Sequence, residues 1–129
     1  MAFQILQVNT GVVAAGTDNT YIVGTVPTTM AQGGWTPTKL SMTAPTTVTG
    51  ATATQLVFTF KSYRAAADQG TFATLTTATG TDLTALTERT LAITAGTTFQ
   101  GGDVIAVAMT HASTGTALPA GLLIKLELQ

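Results

Sequence analysis

The chain has 129 residues, no cysteine and a net charge of −1, and only 9% of it is charged, against roughly 25% in an average soluble protein. That length fits one domain able to bury a core without disulfide or metal staples, and with no cysteine there is neither a disulfide framework nor thiolate chemistry. The five cations, Lys39, Lys61, Arg64, Arg89 and Lys125, are scattered, whereas phosphate binding needs a cluster, so no nucleic-acid or anionic-membrane partner is expected.

Thirty threonines dominate the composition. Threonine is β-branched, stiff at χ1 and suited to a pleated surface, so the chain favours strands over helices. No apolar run approaches the eighteen or so residues of a membrane span, yet the mean hydropathy is +0.38. Apolar and small residues must therefore also sit on the surface, and such surface is often an interface.

In chain order, "MAFQILQVNTGVV" lacks the basic and apolar regions of a secretory signal,, and Phe3–Val8 reads as a first strand. "NTGVVAAGTDN" follows as an arm whose order the sequence leaves open, and Tyr21–Val26 is a second strand. Residues 1–34 form the N-terminal strand and arm region of the same domain, with residues 35–129 as the β-sandwich body. In "KLSMT", Leu40 and Met42 oppose Lys39, Ser41 and Thr43; in "QLVFTFKSY", Leu56, Phe58 and Phe60 face inward, with Thr59 and Lys61 outward,. Thr71–Thr77 is a further strand. "DLTALTER" fits one helical turn, with Leu83 and Leu86 at i, i+3, and "ERTLAIT" puts Leu91 and Ile93 on one face. "DVIAVAMT" carries Ile105, Val107 and Met109 on one face and Val104, Ala106 and Ala108 on the other, the pattern of a strand covered on both sides. The last strand alternates Leu122, Ile124, Leu126 and Leu128 against Leu123, Lys125 and Glu127. About eight strands at 8–15-residue spacing predict an all-β, antiparallel sandwich of a single domain.

Few residues offer chemistry. His111, the only histidine, would need Ser113 as nucleophile and Asp103 as orienter, but Ser113 lacks the strained-elbow context,. One histidine with no cysteine supplies too few metal ligands. A structural His111 is the expectation, with no catalytic residue, no metal and no cofactor. Asp18, Asp68, Asp82, Glu88, Asp103 and Glu127 show no spacing that reports a carboxylate pair; Asp82 and Asp103 follow glycine-containing runs and read as acids bonding nearby backbone in turns. Glycine-containing stretches lack the lysine and strand–helix context of phosphate loops. Trp35 in "GGWTPTKL" is the only tryptophan. It reads either as an interface anchor or sugar-stacking face, or as a lid on one end of the sandwich.

"KLSMTAPTTVTGATATQLVFTFKSYRAAADQGTFATLT" and "LAITAGTTFQGGDVIAVAMTHASTGTALPAGLLIKLEL" resemble the central and closing portions of the small decoration, or cement, proteins on the heads of tailed double-stranded DNA bacteriophages. The likeness covers roughly residues 35–128. It lies in a strand, a turn, a Phe- or Val-rich strand and a glycine-containing loop, then a Gly-Asp start, a strand, a Gly/Pro loop and a final alternating strand. "STGTALPAG" has Ala120 where a second glycine is expected. The resemblance implies a jelly-roll-like sandwich, a homotrimer, on the outer surface of the capsid in the virion. It also implies contact with the major capsid protein and no catalysis. Trp35, Phe3 and Tyr21 are then the candidate interface residues. The rival expectation is a carbohydrate- or receptor-binding sandwich of a phage tail or baseplate, with Trp35, Tyr21 and Tyr63 as stacking faces; a hydrolase using His111 is the third.

Overall fold

A computed structural model describes residues 3–28, 34–112, 117–118 and 120–129. Its strands are β1 (Gln4–Asn9), β2 (Asn19–Thr25), β3 (Pro37–Thr43), β4 (Leu56–Arg64), β5 (Ala67–Thr76), β6 (Arg89–Leu91), β7 (Val104–His111) and β8 (Leu123–Leu128). Two four-stranded antiparallel sheets, ordered β1-β8-β3-β6 and β2-β7-β4-β5, enclose one core. The pairings nest: β1 with β8, β2 with β7, β3 with β6, β4 with β5. The chain is thus one long hairpin bent between β4 and β5, and the further pairings of β8 with β3 and β7 with β4 roll it into a sandwich. That order makes the fold a jelly roll.

The core follows the period-2 rows. Leu122, Ile124, Leu126 and Leu128 are buried, as are Leu40, Met42, Leu56, Phe58, Phe60, Ile105, Val107 and Met109. Phe72 bridges Phe60 and Phe99, with ring centroids 6.2 and 5.1 Å away. The closer pair is edge-to-face, a geometry that adds about 0.5–1.5 kcal/mol beyond burial.

Several expectations need correction. "DLTALTER" is not helical: Leu83 bridges Val48 and is buried, whereas Leu86 is 81% exposed at φ +55°. Its N–H and that of Leu83 are taken by Ala44 and Val48 across the sandwich end, not by a helical turn. The strand expected through Ile93 stops at Leu91, because the Thr94 N–H turns to the Phe72 carbonyl at 2.8 Å and carries the chain from one sheet to the other. Ser41 does face outward with Lys39 and Thr43, opposite Leu40 and Met42, but it is buried there between its register partners Lys125 and Thr90. β7 is central in its sheet, but among the described residues no second layer covers its outer row; Ala106 is buried there because its larger neighbours Ile22 and Lys61 flank it. β5 starts at Ala67, four residues before the expected Thr71, because Ala65 and Ala66 make a two-residue hairpin turn, both at positive φ.

Candidate interaction surface

β1 and β2 are each the outermost strand of their sheet, and they lie on the same flank. Gly24 of β2 packs against Leu6 of β1 so closely that a Cβ would fall 3.1 Å from the leucine side chain. Neither QILQVN nor NTYIVGT holds a charged residue; ten of the chain's eleven charged residues come after residue 38. Large apolar side chains point outward here instead: Phe3 is 54%, Ile5 45% and Ile22 55% exposed.

The other flank is built differently. β6 has three residues and carries Arg89. β5 carries Asp68, ion-paired with Lys61 at 2.8 Å, and its Phe72 carbonyl is already engaged by Thr94. Sheet edges invite pairing with other chains, and proteins blunt them with short strands, charges, bulges and covering loops. One flank has these guards. The other has a bulge near Val23 and nothing else among the described residues.

Four of the eleven charged residues, Lys39, Glu88, Lys125 and Glu127, form a network on the outer face of the first sheet. Lys39 contacts Glu88, and Lys125 lies 3.6 Å from Glu88 and 3.9 Å from Glu127. The hydrogen bond from Lys39 holds the Glu88 carboxyl below its ordinary range, and Ser41 and Lys125 reinforce it. These charges satisfy one another.

The structure does not gather Phe3, Tyr21 and Trp35 into one surface. Phe3 is exposed beside β1. Trp35 is 3% exposed; its backbone exchanges two hydrogen bonds with Phe99, and its Nε1 donates to the Pro27 carbonyl at 3.2 Å. It closes one end of the sandwich, as the lid reading has it, and in this chain offers almost no face to a partner or sugar. Tyr21 points inward from β2, half-buried, with its hydroxyl enclosed and unpartnered. Tyr63 lies on the outer row of β4, facing away from both. The residues the sequence reading missed are Ile5 and Ile22. Each is the outward apolar residue of an uncharged strand, a pattern that marks an open surface only once the strand is known to lie at a sheet edge.

His111 is placed by Asp18, whose Oδ1 accepts from the His111 N–H at 2.8 Å and lies 3.4 Å from Nδ1. The His111 side chain is buried while Asp18 is exposed. Asp103 precedes the opposite end of β7, about 26 Å away at ~3.3 Å per residue, so it cannot orient His111. Ser113 lies outside the described residues. Asp103 instead receives Nε and Nη2 of Arg64 at 2.9 Å each, and the Gln100 N–H at 2.9 Å. Burial pushes its carboxyl up, but Arg64 and that N–H together hold it below its ordinary value. The turn role expected of Asp103 is present; Asp82 reaches farther, to the Gly50 N–H at 2.7 Å.

Comparison with family models, with curated proteins and with solved structures finds no match to this chain.

Proposed function

We propose that this chain is a structural, non-enzymatic decoration protein of a phage capsid, assembling with copies of itself as a trimer and binding the major capsid protein on the outer surface of the virion head. The observation that carries the reading is the open, uncharged β1–β2 flank. An edge left without charges, with Phe3, Ile5 and Ile22 outward, is an aggregation hazard unless another chain covers it. A three-fold ring in which this flank meets a different surface of the next copy would close and stay soluble. The outer row of β7, small and only partly shielded, adjoins Ile22 and offers a flat area for a capsid subunit.

The resemblance of residues 35–128 to phage cement proteins supports the same reading, and jelly rolls recur among capsid domains, though a fold alone assigns no function. Stabilisation would be multivalent: one trimer tethers several capsid subunits, gaining avidity without a strong single contact. Two measurements test this. Light scattering should give a mass near three times 13.1 kDa, and added protein should raise the thermal disruption temperature of undecorated heads of its own phage. Heads that disrupt at the same temperature with and without saturating protein would overturn the reading.

A further inference from the structure

The inward row of β4 reads Leu56, Phe58, Phe60, Ser62, Arg64. Its first three members are core, and the last two are polar because the row leaves the core there. They meet a cleft of about 410 Å³ between β5 and the 94–98 turn, within the range of about 300–1,000 Å³ usual for small-molecule sites. Ser62 is 5% exposed, and its hydroxyl, without a partner among the described residues, opens onto the cleft. Thr71 and Thr94 bring further hydroxyls, and Gln69 and Thr97, whose Nε2 and Oγ1 donate to the Ala67 and Thr94 carbonyls, bring oxygens that can still accept. A shallower furrow of about 270 Å³ continues along β5, sharing Thr71, Phe72 and Thr94.

We infer that this cleft binds a neutral polyhydroxylated ligand, a sugar ring of a glycan. Among the described residues Arg64 is the only charged one lining it, and Asp103 neutralises that charge with two hydrogen bonds, so no net field favours an anion. Hydroxyl linings both donate and accept, which complements a polyol and not a hydrocarbon. The salt bridge also fixes Arg64 in place, so the wall is preorganised. An extended peptide is disfavoured because the Phe72 carbonyl, the β5 edge acceptor at this point, is held by the Thr94 N–H. With no aromatic face among the described lining residues open for stacking, affinity is set by hydrogen bonds and is weak, with Kd of order 1–10 mM,. This inference does not depend on the capsid reading.

The test is an amide NMR titration of the full chain with methyl α-glucoside, methyl α-mannoside and N-acetylglucosamine, and with sodium acetate as the anion arm. At least one sugar should shift Gly70, Thr71, Gly96 and Thr97 saturably. Ser62→Ala should weaken that sugar about fivefold, as the loss of one buried hydrogen bond predicts, without lowering Tm. Thr71→Val, at an exposed strand position, gives an independent variant with the same expected direction. No saturable shift at these amides with any of the sugars, a response to acetate alone, or unchanged affinity in both variants would overturn the proposal.

Discussion

The bend of the long hairpin is made from the wrong residues for its shape. Ala65 and Ala66 sit at φ +49° and +66° between the paired residues Arg64 and Ala67, the backbone of a type I′ turn, where Asn-Gly is preferred. An L-residue held in the left-handed region costs roughly 1–2 kcal/mol. Asparagine tolerates that region, and glycine enters it freely at an unfolded-state cost of roughly 0.5–1 kcal/mol. The double variant A65N/A66G should therefore be more stable by about 1–2 kcal/mol. At ~2.1 cal/mol/K per residue, 129 residues give an unfolding entropy of about 0.27 kcal/mol/K, so Tm should rise by about 4–7 °C in a calorimetric scan. Both alanines are exposed, so no packing change confounds the result. Because this turn closes the shortest of the nested pairs, the gain should appear largely as faster refolding in stopped-flow traces. An unchanged or lower Tm would refute the left-handed assignment of the turn.

Replacing Ile5 or Ile22 by lysine should leave stability within about 0.5 kcal/mol, since both are half exposed,, while shifting the light-scattering mass toward the monomer. D103N should lower stability at pH 7 by about 1–2 kcal/mol in urea titrations, the exposure of Arg64 keeping the loss modest,. The folded carboxyl lies below its unfolded value of ~3.9, so its contribution is present above that pH and is lost as pH falls through the folded value,. The difference between wild type and D103N should accordingly shrink in acid. A constant gap from pH 7 to about pH 2 would contradict the ion-pair assignment. Trp35, the only tryptophan and 3% exposed, should emit at short wavelength and resist acrylamide quenching until the chain unfolds; ready quenching of the folded protein would remove it from the core.

Wherever a strand had one wet face and one buried face, its pattern was plain. Leu122 to Leu128 and Leu56 to Phe60 alternate cleanly, and each inward residue is buried. The Arg64–Ala67 turn was hidden because alanine carries no turn signal, so four residues of β5 were missed. Short-range pattern also misled at Leu83 and Leu86, where Val48 and Ala44, 35 and 42 residues earlier, take the backbone groups. Trp35 was ambiguous for a different reason. Flanking glycine and proline mark a loop, but whether a loop tryptophan faces solvent depends on Phe99, 64 residues along the chain, and on a bond to the Pro27 carbonyl that no residue pattern reports. The open flank could not be read at all until the strand order was known, since an uncharged strand is ordinary in the middle of a sheet and conspicuous only at its edge.

The nested pairing also sets a timetable. β8 lies between β1 and β3, so the first sheet lacks its central member until the end of this domain has been made. At the ~5–20 residues per second of synthesis, β1 and β3 wait several seconds after emerging, with apolar rows and backbone edges bare. The second sheet can pair β4 with β5 much earlier. A ribosome stalled before Leu123 would therefore hold a half-built sandwich, and that nascent chain, more than the finished protein, is where a chaperone would find something to bind.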